Sequence, residues 1–275
     1  MNRALAHRMA DGRLHLHHGP IDLICEAWGA QADVDAGYQR ACQRFESLLA
    51  ELVAELPSLR SENQALFGPI ARVMGQAVGP FRPKFITPMA AVAGAVADAV
   101  LAAMIAPEIT RAYVNNGGDI ALHVQPGQRL VCAIAGANSE ISIDAATPVR
   151  GIATSGWRGR SWSLGIADSV SVLAKTAAMA DAAATMIANA VDLPDHPMIA
   201  RSPAQDLQVD SDLGMLLVTV AVGHLAADDV AAALAKGEAA AQAYRDKGLI
   251  EAAALFLQGE SRIVGPLMLK ELAFA

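Results

Sequence analysis

The sequence predicts an α+β protein: a single layered domain over residues 1–275 in which mixed sheets pack against alanine-rich helices. Three observations carry that expectation. Strand-like alternation and helix-like periodicity both occur and interleave irregularly, as in a layered domain rather than a strict βαβ repeat. Hydrophobic residues make up 53% of the chain but aromatics only 4%, so the core is built mainly from Ala, Val, Leu and Ile, and its layers approach closely. No linker, charge block or repeat of fixed period divides the chain.

The elements follow in order. "RLHLHHGPIDLICEAWG" alternates apolar and polar positions about a HHGP break and predicts an opening hairpin. Asp33 is placed to cap a long helix, because Val34, Tyr38, Ala41, Phe45, Leu48, Leu49, Leu52 and Leu56 recur at helical spacing. Gly68 and Pro69 punctuate a shorter helix, and "GPFRPKFITP" reads as a loop. Residues 89–106, "MAAVAGAVADAVLAAMIA", approach membrane-spanning length, but they are mostly Ala with Asp98 near the middle, which predicts a buried helix and no membrane contact. "RAYVN", "DIALHV" and "RLVCAIAG" read as strands. "DSVSVLA" is a further strand leading into a helix around "MADAAATMIANA", with Thr176 as its N-cap. Residues 192–212, "DLPDHPMIARSPAQDLQVDSD", form either a lid or a long connection. "GMLLVTVAVG" is a strand, "ADDVAAALAKGEAAAQAYRDKG" a helix stopped by Gly248, and "AALFLQG" a late strand.

A formal charge of -7 gives no electrostatic reason to expect nucleic acid. Cys25, Cys42 and Cys132 are far apart, odd in number and in no CxxC pair, so they read as reduced thiols; with no signal-like apolar core near Met1, this predicts a cytoplasmic protein. An Ala-rich, weakly charged surface favours a homodimer. His15 and His17 share a strand face and His18 follows, which is either a metal site or, the bland reading, three solvent-facing imidazoles.

Three segments can carry chemistry. Asp181 and Thr185 lie four apart in an apolar helix, so their oxygens face one way, with Asn189 a turn further on. A carboxylate among apolar neighbours is costly unless paired, and hard oxygen ligands suit magnesium; capping, or pairing with an arginine elsewhere in the fold, is the alternative. Asn116, Gly117 and Gly118 can turn sharply and offer backbone N–H groups to a ligand, with Asp119 opening the next strand, or can be a hairpin turn alone. Thr154, Ser155 and Gly156 supply hydroxyls and a flexible backbone, and Arg158 and Arg160 add cations that suit phosphate, with Trp157 or Trp162 available to stack on a planar ring; a solvated surface loop is the alternative.

In order and spacing these segments resemble the ApbE superfamily of FAD:protein FMN transferases and related flavin-nucleotide hydrolases. That family's pattern runs GxxxKGYAxD, then a strand ending in GGD or GGN, then ATSGxYxR, then SVTV leading into ADALAT. The counterparts here are "AAVAGAVAD", "NNGGDI", "IATSGWRGR", "SVSVLA" and "ADAAAT", covering about residues 86–191. The nearest likeness is to a cytoplasmic branch with a "NNGGDIALH" and "TSGWRGRS" signature. The resemblance implies magnesium at Asp181 and Thr185, with the main-chain carbonyl near Ala90 completing the protein ligands. It implies a phosphate-containing ligand, FAD or FMN, beside Asn116, Gly117, Gly118 and Asp119 and held by Thr154, Ser155, Gly156 and Arg160, in a pocket between the two segments. Asp98 matches the acid closing GxxxKGYAxD.

The departures bear on chemistry. Ala93 and Ala95 stand where the family has Lys and Tyr, and Arg158 where it has the Tyr of SGxYxR. The HxxDPxTG segment is reduced to "SWSLGIAD", without the His, leaving Asp168 as a partial substitute. Three readings follow: a magnesium-dependent flavin transferase or pyrophosphatase, a binding protein that has lost the transfer residues, and an enzyme in the biosynthesis of another coenzyme.

Overall fold

The computed structural model describes residues 3–134, 139–266 and 270–271. Tertiary contacts group the chain into two compact units. The first comprises Met1–Cys132, Ser142–Ala153 and Ala174–Asp181; the second comprises Ala133–Ile141, Thr154–Leu173 and Ala182–Ala275.

The first unit opens with strands β1 (Leu5–Arg8), β2 (Leu14–His18) and β3 (Ile21–Trp28). Helices α1 (Gln31–Ala54), α2 (Leu56–Leu59), α3 (Pro69–Val78) and α4 (Val92–Met104) follow, with 3-10 turns at Gly79–Phe81 and Pro88–Ala91. Then come β4 (Arg111–Asn116), β5 (Asp119–Val124), β6 (Arg129–Ala133), β7 (Ser139–Asp144) and β8 (Gly151–Ser155). Strands β1 to β5 form an antiparallel meander, and β8 pairs with β5, Ile152 opposite Ile120. Burial alternates along β3 and β4, so that Leu23, Cys25, Ala27, Ala112 and Val114 line one covered face. Helices α1 and α4 pack on these strands and on each other.

Helix α1 buries Val34, Tyr38, Ala41, Phe45, Leu48 and Leu52, the stripe its periodicity predicts. Its start differs from expectation: Ala30 is at the N-cap and makes no side-chain cap, while Asp33 lies in the first turn, where its charge still complements the helix dipole. From α1, Arg40 donates to the Ala103 and Met104 carbonyls at 3.0 and 2.8 Å and so satisfies the C-terminus of α4. The Ala-rich run is thus a 13-residue helix held by the protein, and among the described residues no helix is long and apolar enough to cross a membrane.

The later elements are β9 (Ser169–Ala174), α5 (Ala177–Ala190), β10 (Ile199–Pro203), α6 (Ala204–Leu207), β11 (Leu217–Val222), α7 (Ala227–Asp246), β12 (Ala252–Leu257), β13 (Glu260–Val264) and β14 (Lys270–Glu271). In the second unit β12 pairs antiparallel with both β9 and β13, and α7 packs on β12 and β13 through Val230, Ala233, Leu234, Ala241 and Tyr244. Strands β10 and β11 form a separate two-stranded ribbon.

The α+β class and the opening hairpin are as the sequence predicts, and Gly248 follows α7 in the left-handed conformation expected of a helix stop. Thr176 caps α5, its Oγ1 accepting the Met179 N–H at 3.1 Å. Several regions hold more structure than the sequence indicated, among them β1, β7, β13 and β14, none of which the sequence predicts as a strand. "GIATS" is strand β8, too short to show alternation, and residues 192–212 contain β10 and α6. The last two residues of "RLVCAIAG" lie outside the described residues.

Candidate functional site

In the first unit, Asn116 pairs with Asp119 to close the β4–β5 hairpin, leaving Gly117 and Gly118 as a two-residue turn. Their φ values of 67° and 115° are conformations that cost a side-chain-bearing residue dearly, which is why glycine occupies both. The Gly118 N–H donates to Asn115 Oδ1 at 2.8 Å, and the buried Asn116 side chain donates from Nδ2 to the Ala93 carbonyl at 3.1 Å. The turn is therefore tied to the start of α4. Ala90 lies in the 3-10 turn just before that helix, its N–H donating to the Thr87 carbonyl at 3.1 Å.

The start of α4 in turn meets the start of α5. A Cβ on Gly94 would lie 2.2 Å from the Ala177 carbonyl oxygen, so only glycine permits the approach. There the Gly94 N–H donates to Asp181 Oδ2 at 3.0 Å. One turn along α4, Asp98 accepts the Ala177 and Ala178 N–H groups at 3.1 and 2.9 Å, capping the first turn of α5 from a neighbouring helix.

Burial pushes the Asp181 carboxyl well above the usual carboxylate range, the negative charge of Asp119 pushes further and Asp98 adds to it, against the Gly94 and Ala93 N–H groups. Burial likewise pushes Asp98 up to about 6, outweighing the Ala178 and Ala177 N–H groups. The negative charges of Asp119 and Asp98 thus both act on Asp181, whose carboxyl accepts the Gly94 N–H. Along the rest of α5 nearly every residue is buried, while Asp181, Thr185 and Asn189 keep partial exposure as one stripe. Asn189 is engaged within the second unit, its Oδ1 accepting Ser163 Oγ and the Leu164 N–H at 3.2 and 3.0 Å.

The loop after β8 is organised by Asp168, within the second unit. Asp168 Oδ1 accepts the Trp157 indole N–H and faces Arg158 Nε, both at 3.2 Å, while Oδ2 accepts the Gln258 N–H at 2.6 Å. The Arg158 guanidinium stacks over the Trp157 ring at 5.0 Å. Gly156 lies against the Asp168 backbone, where a Cβ would come within 2.4 Å of its carbonyl oxygen. Thr154 Oγ1 and Ser171 Oγ share a hydrogen bond at 2.8 Å, Ser155 is half-buried, and Arg160 is exposed.

The structure thus joins Asn116 to the start of α4, and Asp181 and Asp98 to the same two helix starts, all within the first unit. Thr154, Ser155, Gly156, Arg158, Arg160 and Thr185 belong to the second. Sequence reasoning missed the capping role of Asp98 and the contact made by Gly94; their spacing of four in "GAVAD" was the available signal. The histidine reading needs correction at one position. His18 is buried against Phe45, whereas His15 and His17 both face Asp22, at 2.9 and 3.4 Å. Among the described residues no three His, Cys, Asp or Glu side chains gather to hold a metal by themselves, and all three cysteines are free thiols.

The frame is α+β, with two helix starts pinned by glycine and acid beside a Gly-Gly hairpin turn. A family model described as "AbpE bacteria" matches residues 6–263, and this chain belongs to that family. It is 40% identical over 121 residues to a UPF0280 protein of Methanococcus vannielii, covering 40% of this chain and 48% of that protein. A UPF0280 protein of Methanobrevibacter smithii is 38% identical over 111 residues, 38% of this chain and 46% of its own. The matches thus span about half the length of these curated relatives. Among solved structures, the flavin transferase ApbE from Vibrio cholerae superposes with a TM-score of 0.44 at 13% identity over 95% of this chain and 96% of its own.

Proposed function

We propose that this chain binds a flavin nucleotide, FAD or FMN, through its phosphate oxygens with the help of magnesium. The flavin assignment rests on family membership and on the ordered motifs. The observation that carries the metal is the Asp181 carboxyl, fixed by the Gly94 N–H at 3.0 Å and acted on by the charges of Asp119 and Asp98. A cation there would offset the cost of ionising Asp181 beside Asp119 and Asp98, and the oxygen donors of Asp181, Thr185 and the Ala90 carbonyl suit a hard divalent ion. Since among the described residues no three His, Cys, Asp or Glu side chains gather to hold a metal alone, ligand phosphates and water complete the shell in this reading. Bound there, magnesium would supply positive charge to the phosphate oxygens. Asn116, Gly117, Gly118 and Asp119 are assigned to the nucleotide, and Thr154, Ser155, Gly156, Arg158 and Arg160 to its phosphates.

Binding without transfer is favoured over FMN transfer or pyrophosphate cleavage by one observation. Asp168, the only acid in "SWSLGIAD", has both oxygens engaged by Gln258, Trp157 and Arg158 and serves to hold the loop rather than to accept a substrate proton. Titration calorimetry with FAD and FMN, with and without magnesium, tests the reading. Magnesium-dependent binding is expected in the wild type and a loss of at least about tenfold in Asp181→Asn. Chromatography for FMN and AMP after incubation with FAD separates binding from turnover. Absence of binding, or binding indifferent to both Asp181→Asn and Thr185→Ala, sinks the proposal; a different coenzyme retained through purification would redirect it.

A further inference from the structure

We infer that residues 198–223 form the surface on which a second copy of this chain docks. This excursion is a closed hairpin. Strands β10 and β11 pair from Ile199 opposite Val222 to Pro203 opposite Leu217. At its base the Gly223 N–H donates to the Met198 carbonyl at 2.8 Å, and towards its tip the Ala204 and Gln205 N–H groups donate to the Leu216 and Gly214 carbonyls at 3.0 and 2.9 Å. Two strands alone are marginal in water, so the ribbon depends on its anchorage. Val218 and Ala204 are fully buried, the Thr219 N–H donates to the Ser163 carbonyl at 2.8 Å, and Arg201 bonds to the Leu164 carbonyl and to Asp192.

What the anchorage leaves outside is strongly apolar. Of the fourteen exposed large hydrophobic side chains among the described residues, seven fall within this excursion, led by Val209, Met215 and Leu217 at 93, 65 and 54% exposure. Summed, those seven present about 700 Å² to water. A second copy covering all seven about a two-fold axis would bury about 1,400 Å² in total, within the range of stable interfaces. A bilayer is the poorer occupant, since the exposed Asp206 and Asp210 of the same excursion would face its headgroups, whereas in a protein contact they can stay in the polar rim.

Sedimentation of the full chain at about 50 μM tests this, interfaces of that area having micromolar or tighter constants. The wild type is expected to be a dimer and the double variant Val209→Glu, Met215→Glu a monomer with an unchanged far-UV spectrum, because both side chains are solvated in the single chain. Phe67→Glu, at a 75% exposed apolar residue outside the excursion, should leave the dimer intact. A wild-type monomer at that concentration, a dimer that survives the double substitution, or a wild-type monomer whose attachment to phosphatidylcholine vesicles the double substitution abolishes would each overturn the inference.

Discussion

Replacing Asp98 by asparagine removes a charge that the fold holds away from water, and the consequence is a change in how stability depends on pH. The Asp98 carboxyl stands at about 6 in the folded protein against an ordinary 3.8, because burial outweighs the Ala178 and Ala177 N–H groups it accepts. A folded value above the unfolded one means that folding holds the proton more tightly. The associated stability is complete below the unfolded value and is lost as the pH rises through about 6. At about 1.4 kcal/mol per pH unit of separation the effect totals about 3 kcal/mol, of which about 2 kcal/mol falls between about pH 4.5 and 7.5. Asp98→Asn also gives up one of two acceptor oxygens on the first turn of α5, at a cost of about 1–3 kcal/mol that does not vary with pH. Urea unfolding of both proteins in chelator-containing buffer, followed by tryptophan fluorescence, separates the two contributions. The deficit of the variant relative to wild type should shrink by about 2 kcal/mol from about pH 4.5 to 7.5. A deficit constant to within about 0.5 kcal/mol would mean that the two N–H groups stabilise the anion as well as water does, and the burial argument would be refuted.

Further expectations concern neighbouring contacts. Gly94→Ala should lower stability by about 2 kcal/mol despite a gain of about 1 kcal/mol in helix propensity, since the new Cβ meets the Ala177 carbonyl; an unchanged melting curve would show that the two helix starts separate freely. Thr176→Ala should cost about 1 kcal/mol through loss of the Met179 cap and Thr176→Ser much less, as measured by denaturant midpoints. Gly156→Ala should disturb the indole that Asp168 holds, visible as a shift in Trp157 emission, because its Cβ would strike the Asp168 carbonyl. Burial pushes the Cys25 thiol up to about 12, so native protein mapped by mass spectrometry after alkylation should be modified at Cys42 and not at Cys25; early labelling of Cys25 would contradict the packing under α1.

Features written in neighbouring residues were legible in advance. The α1 stripe, the Gly-Gly turn between β4 and β5, the Thr176 cap and the polar stripe of α5 each depend on contacts within a few positions, where helical and strand periods fix which side chains share a face. Features made by distant residues were not. Asp98 reaches N–H groups 79 and 80 positions away, and Asp168 accepts one 90 positions on. Nothing local distinguishes a capping carboxylate from one waiting for a metal. The same holds for residues 198–223, whose pairing needs a register that Pro203 and a bulge after Ala200 obscure.

By itself the sequence determined the α+β class, the composition of the core and the spacing of Asp181 with Thr185, since hydrophobic period and turn chemistry are properties of short segments. Only the tertiary structure decided that Asp181 is bound by Gly94 and acted on by the charges of Asp119 and Asp98, that Asp98 closes a helix, and that Asp168 is already engaged. The physical reason is that the state of a carboxyl group is set by what surrounds it in space, burial, charge and N–H donors, and chain folding brings those together from remote positions.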